Sequence, residues 1–142
     1  MARDMTPAEI HAFLDHGTRT GKLATTRANG APHVAPIWFV RDGDDLMFNT
    51  GANTVKGKAL ARDPRVALCV DDEQPPFSFV LIEGIVELSN DHEEKLAWAT
   101  KLGGRYMGAE KAAAFGIRNA VPDELLVRLR PTRIVAQADI AG

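Results

Sequence analysis

The hydrophobic positions of the first turns of chain recur at helical spacing, and from Gly21 onward they follow the shorter period of strands. Ile10, Phe13 and Leu14 fall on one helical face, and the segment opens on Thr6-Pro7-Ala8-Glu9. That opening supplies a capping threonine, a proline at the first helical position and a glutamate three residues after the cap, with Gly17 as a stop. The stretches KLATTR and PHVAPIWFVR flank an Asn29-Gly30 pair, which is the signal of a hairpin between two strands. Asp42-Gly43-Asp44 turns the chain again into a third strand, Leu46-Met47-Phe48-Asn49, so three sequential antiparallel strands are expected as a meander.

A short helix over Val55 to Arg62 follows, then a fourth strand, Val66 to Val70. A long fifth strand runs from Phe77 to Leu88 after the Pro75-Pro76 break. Ser89 or Asn90 is placed to cap a helix through HEEKLAWATKL, which Gly103-Gly104 is expected to interrupt before a further helical segment, AEKAAAFGIR. The last segment, ELLVRLRPTRIVAQADI, alternates as one strand or a pair, with Pro131 at a bulge or an edge. Short, glycine-punctuated strands with few crossover helices predict a mainly β protein, an antiparallel barrel with helical additions, in a single domain spanning residues 1–142.

Composition narrows the partners. No apolar run approaches the roughly 20 residues that cross a bilayer, which argues against a membrane partner. The formal net charge is −2, with Lys and Arg dispersed among acids, so the footprint of a nucleic-acid binder is missing. The N-terminal segment MARDMTPAEIHAF has neither the basic nor the apolar region of a secretory signal, and Cys69 is the single cysteine; a cytoplasmic location is the expectation. A chain of 142 residues is small for an enzyme that must enclose its substrate, which favours a site shared between subunits.

One stretch carries candidate chemistry. In NTGANTVKGKALARDPR an apolar strand gives way to a helix whose first N–H groups and positive dipole end face the space beyond the strand, the geometry of an anion site. Lys56 and Lys58 stand about 200° apart around that helix. Lys56 shares its face with Leu60 and is expected to be held against the protein, whereas Lys58 shares its face with Arg62 and points to solvent.

The order GKLATTRANGAPHVAPIWFV, LMFNTGANTVKGKALARDPRVALCVD and FVLIEGIVEL resembles the pyridoxamine 5'-phosphate oxidase-like split-barrel superfamily. Within it the chain is similar to the F420-dependent oxidoreductase branch, flavin/deazaflavin oxidoreductase family B. The resemblance runs from about Gly21 to the C-terminus, and the segment KGKALARDPRVAL is its most recognisable part. It implies an antiparallel split β-barrel that pairs as a homodimer, with the cofactor in a groove between two barrels. The cofactor phosphate is then expected on Asn49, Thr50, Asn53, Thr54, Lys56 and Lys58. The ring is expected along Pro36, Ile37 and Trp38, with Phe77 and Phe79 contributed by the other subunit. The activity implied is hydride transfer from reduced coenzyme F420 to a conjugated small organic molecule. Several relatives that bind F420 carry an arginine shortly before the loop lysine, where this chain has Thr54 and Val55. An FMN-dependent oxidoreductase of the same fold, or a non-catalytic flavin- or haem-binding protein, therefore stays open.

Other candidates are weaker as chemistry. No nucleophile elbow, no metalloprotease motif and no metal-ligand spacing occurs, and His11, His16, His33 and His92 are dispersed. His33 lies on the second strand, where an edge or hydrogen-bonded role is the ordinary one. Trp38 offers a flat stacking surface or a core side chain, and Trp98 is expected between helix and barrel. Cys69, inside Val-Ala-Leu-Cys-Val, is expected to be buried and inert, with no redox role.

Overall fold

A computed structural model describes residues 1–142. In chain order the elements are β1 (Arg3–Asp4), α1 (Pro7–Asp15), β2 (Gly21–Thr26), β3 (Pro32–Ile37), β4 (Val40–Asp42), β5 (Asp45–Gly51) and α2 (Val55–Arg62). They continue with β6 (Arg65–Asp72), β7 (Ser78–Ser89), α3 (His92–Met107), α4 (Ala109–Asn119) and β8 (Glu124–Ala138). Both expected N-terminal features of α1 are present: Thr6 Oγ1 accepts from Glu9 N–H at 3.2 Å, and Glu9 Oε1 accepts from Thr6 N–H at 3.0 Å.

The strands form one antiparallel sheet in the order β3-β2-β6-β7-β8-β5-β4, with β1 added on β8. The expected meander of three sequential strands is therefore corrected. β2 and β3 pair as the Asn-Gly hairpin and β4 pairs with β5, but β3 and β4 lie at opposite ends of the sheet. Only Trp38 and Phe39 join them, so the sheet has to curl until its two edges meet, and the seam between them carries no strand ladder. The result is an antiparallel split barrel with four helices.

The physical reason for the break is at Phe39. Ile37 pairs with Gly21 at the first residue of β2, so no partner strand extends further. The Phe39 N–H instead donates to Tyr106 Oη at 3.1 Å, and its carbonyl accepts from Arg105 Nη1 at 2.7 Å. Arg105 also donates to the Leu14 carbonyl at 2.6 Å and the Gly17 carbonyl at 3.0 Å, tying the end of α1 to the seam. Arg105→Met is expected to cost about 2 to 3 kcal/mol, because it strands several carbonyls served by one charged donor. Chemical denaturation checks this, and a midpoint matching the parent protein would assign the seam to side-chain packing alone.

Two helical expectations are also corrected. Asp91, not Ser89 or Asn90, caps α3, its Oδ2 accepting from Glu94 N–H at 2.9 Å; Ser89 Oγ instead donates to Glu94 Oε2 at 2.8 Å. Gly103-Gly104 does not interrupt the helix, because α4 packs there: a Cβ on Gly103 would lie 2.6 Å from Phe115 Cβ. The stop is Gly108, at φ +97°. β8 is one strand, and Pro131 sits at a bulge, where the register moves from Glu83↔Arg133 to Gly84↔Pro131.

A core of 16 buried residues fills the barrel, among them Leu23, Ile37, Phe39, Phe48, Leu60, Leu68 and Val80. Because Leu68 and Val70 turn inward, alternation aims Cys69 outward, and the residue is half-buried instead of in the core. Burial and nearby Asp71 push its thiol up, against Lys22. The thiolate is therefore scarce at pH 7, and slow labelling by a thiol reagent is expected despite the exposure.

Candidate functional site

The site begins at the end of β5. Leu46, Phe48 and Thr50 alternate onto the inner face, and Thr50 carries a polar hydroxyl to a position only 4% exposed. The chain then leaves the sheet through Gly51-Ala52-Asn53 and enters α2. Thr54 Oγ1 caps this helix by accepting from Gly57 N–H at 3.0 Å and donates to the Gly51 carbonyl at 2.8 Å. The cap uses the third N–H of the helix and leaves those of Val55 and Lys56 without acceptors in the chain. On the other side, Leu60 packs into the core and Arg62 Nη2 donates to the Thr26 carbonyl at 3.2 Å.

A depression of about 430 Å³ opens at this helix end, lined by residues of β3, β5, the α2 N-terminus, the end of α4 and the start of β8. Three of its lining residues carry buried polar atoms with no hydrogen-bond partner: His33 Nδ1, Asn49 Nδ2 and Thr50 Oγ1. Buried orphans of this kind are uncommon, and three of the four in the chain belong to residues that line this depression, which makes it the candidate site for a polar ligand. A larger depression, about 600 Å³ beneath α1, lacks this property. There His11 pairs with Asp44 at 2.8 Å, Arg41 with Asp15 at 2.7 Å and Asp45 with Arg128 at 3.0 Å.

Two charges line the site, Lys56 and Glu124. Burial pulls the Lys56 ammonium below its ordinary pKa, partly opposed by attraction to Glu124. Burial pushes the Glu124 carboxyl up, opposed by Lys56, Lys95 and Arg118. Each group is therefore under-compensated when charged, and a phosphate entering beside Lys56 would restore the attraction that desolvation removes.

Of the residues expected from sequence, Asn49, Thr50, Thr54 and Lys56 come together in this depression, joined by His33. Lys56 is partly buried and Lys58 exposed, as their helical angle predicts. Asn53 and Lys58 lie outside the lining. The Ile37 side chain is 4% exposed in the core, so a ring lying along this strand would meet its backbone. Pro36 is exposed, and Trp38 is 40% exposed, with its ring parallel to Tyr106 at a centroid distance of 4.9 Å. Phe77 and Phe79 line a separate depression of about 440 Å³ that also includes Cys69 and Ile140.

Sequence reasoning missed Glu124 and Asn119. Glu124 reaches the site because β8 pairs with β5 in a register that sets it opposite Gly51, and Asn119 because α4 ends there. Neither carries a local signal. The unremarkable strand histidine, His33, became a site residue through its orphaned nitrogen.

The chain matches the family described as pyridoxamine 5'-phosphate oxidase over residues 6–138. It belongs to that family. A pyridoxine/pyridoxamine 5'-phosphate oxidase of Alkalilimnicola ehrlichii is 36% identical to this family member over 93 residues, 65% of this chain and 46% of the relative. The chain thus matches about half the length of that curated relative. Among solved structures, a conserved hypothetical protein from Mycobacterium tuberculosis superposes with a TM-score of 0.84 at 28% identity, covering 95% of this chain and 86% of the other. A structure described as an F420 reductase superposes with a TM-score of 0.70 at 30% identity, covering 87% and 94%. An oxidoreductase fold of flavin-type cofactors is the coarse assignment these relationships support. No helix is long and apolar enough to cross a membrane.

Proposed function

We propose that this member of the pyridoxamine 5'-phosphate oxidase family is an F420H2-dependent reductase that passes a hydride to a conjugated small organic substrate. The observation that carries the reading is that Lys56 and three residues with unpartnered polar atoms, His33, Asn49 and Thr50, share one lining at the N-terminal end of α2. These residues fit a phosphate. Val55 and Lys56 would donate backbone N–H groups and the Lys56 ammonium would supply charge. Reduced deazaflavin, when bound, is itself the hydride donor. The exposed face of β3 and the Trp38 indole then orient the ring, with Phe77 and Phe79 of a second copy closing the groove and excluding water. The 30% identity to an F420 reductase across most of both chains supports this reading.

FMN is the second reading, favoured by the compactness of the depression and by the oxidase relative. Equilibrium titration of F420 and FMN side by side separates the two. Tighter F420 binding is expected, and preferential FMN binding would reverse the assignment. A homodimer is expected by light scattering at micromolar concentration, since one small barrel leaves the depression open on one side. A monomer that still binds cofactor tightly would remove the second copy from the site.

A further inference from the structure

We propose that Lys56 is a site of acylation by small acyl phosphates, a modification that the anion-binding end of α2 directs and that removes the anchor of the cofactor. The inference rests on the reading of the depression as a phosphate site. A reagent whose phosphate docks there carries its carbonyl group to the one lysine in the lining. The field at this helix end is net positive, because Lys56, Lys95 and Arg118 all act on Glu124 and the α2 dipole adds to them. It draws in an anion. Thr50, 4% exposed with its Oγ1 unpartnered, belongs to the same lining, and the Val55 and Lys56 N–H groups have no acceptor in the chain. Those are the polar groups that a phosphoryl group would meet.

The lysines of the chain differ in what holds their amines. Lys22 Nζ donates to Asp71 Oδ1 and to the Thr20 carbonyl, each at 3.3 Å, and Lys101 Nζ lies 4.1 Å from the centroid of the Trp98 ring. Lys95 is buried and donates to the Val121 and Glu124 carbonyls and to Asn90 Oδ1. Lys58 and Lys111 are exposed. Lys56 alone combines partial burial with an amine that has neither a hydrogen-bond acceptor nor an ion pair.

Burial also pulls the Lys56 ammonium below its ordinary pKa, so a larger share of it is the free amine than in a solvated lysine. In that form Nζ adds to the carbonyl carbon of the acyl phosphate and an N–C bond forms. The C–O bond to the phosphoryl oxygen breaks, inorganic phosphate leaves with its electron pair, and the surplus amine proton passes to water. Docking of the phosphate replaces a bimolecular encounter with a neighbouring one. The amide product is neutral and has no ammonium to pair with a cofactor phosphate.

The test incubates the parent protein with acetyl phosphate at pH 8 and follows each lysine by peptide mass spectrometry. N-acetoxysuccinimide serves as an acetyl donor that carries no phosphate. With acetyl phosphate, Lys56 is expected to acetylate about tenfold faster than Lys58 and Lys111, to saturate with reagent concentration and to slow when millimolar inorganic phosphate is added. With N-acetoxysuccinimide that lead is expected to shrink to about threefold or less, with no effect of phosphate. The acetylated protein is expected to bind F420 and FMN about ten- to a hundredfold more weakly, as Lys56→Ala does. If Lys56 does not outpace Lys58 and Lys111 with acetyl phosphate, or leads equally with both reagents and is not slowed by phosphate, directed acylation is overturned. The phosphate site stands in either case as long as Lys56→Ala weakens cofactor binding. If Lys56→Ala binds F420 and FMN as the parent does and phosphate leaves the acetylation of Lys56 unchanged, the phosphate reading falls and directed acylation falls with it.

Discussion

Gly57→Ala is expected to destabilise the protein by about 4 kcal/mol or more, the largest effect of any single methyl group in this chain. A Cβ on Gly57 would lie 2.0 Å from the Gly51 carbonyl oxygen and 3.0 Å from its carbon. Both are backbone atoms, held in place by the β5–β8 ladder and by the Thr54 hydroxyl, so neither can rotate aside. The helix would have to back away from the strand by more than an ångström, carrying with it the Val55 and Lys56 N–H groups that define the site. Alanine's better helix propensity, about 1 kcal/mol, does not offset that. Gly104→Ala is the matched control: its Cβ would meet only Ala112 Cβ at an ordinary 3.7 Å in the middle of α3, and a gain of about 0.5 to 1 kcal/mol is expected. Denaturant midpoints for the two variants decide the matter. Equal, small changes would mean that α2 does not rest on Gly51.

Lys56→Ala is expected to weaken binding of a phosphate-bearing cofactor by about 1.5 to 3 kcal/mol, about ten- to a hundredfold, the range for a charge-assisted hydrogen bond. Lys58→Ala, on the exposed face, is expected to cost less than about 1 kcal/mol and to lose its effect as salt rises. The contrast between the two is the measurement, because both variants remove one positive charge from the same short helix. The lowered pKa of Lys56 adds a pH signature of definite sign. The ammonium form binds phosphate, so affinity falls as pH rises through its pKa, and the fall is expected to begin at a lower pH than for an ordinary lysine. At saturating cofactor and substrate, turnover in Lys56→Ala is expected to recover, since the residue anchors a part of the cofactor remote from the transferring hydride. If Lys56→Ala and Lys58→Ala both bind F420 and FMN as the parent does, the phosphate site lies elsewhere.

The two lysines also mark how much of the site was legible in one dimension. Their spacing within a helix of known start is a local quantity, so the inward Lys56 and outward Lys58 followed from the 3.6-residue repeat alone. The Thr54 cap, the capping box at Thr6 and Glu9, the Asn29-Gly30 hairpin and the bulge at Pro131 were legible for the same reason: each depends on backbone chemistry within a few residues. The break at Trp38-Phe39 was not. PHVAPIWFVR reads as one strand because its apolar and β-branched residues continue without a turn signal past Ile37; it ends at Ile37 because β2 offers no further partner and because Arg105 and Tyr106 take the next backbone groups. Gly103-Gly104 misled in the opposite direction, as a close helix contact has the same local sequence as a helix stop.

By itself, then, the sequence determined the mainly β class, the helices at α1 and α2 with their caps at Thr6 and Thr54, and the Asn29-Gly30 turn, since all of these are set by periodicity and short-range hydrogen bonding. Only the tertiary structure decided the strand order, the seam between β3 and β4, the outward turn of Cys69 and the recruitment of His33, Asn119 and Glu124 to the site. Those depend on which strands pair and in what register, and pairing between residues as distant as Gly51 and Glu124 is chosen by burial of the whole core, a sum over the chain that no local stretch contains.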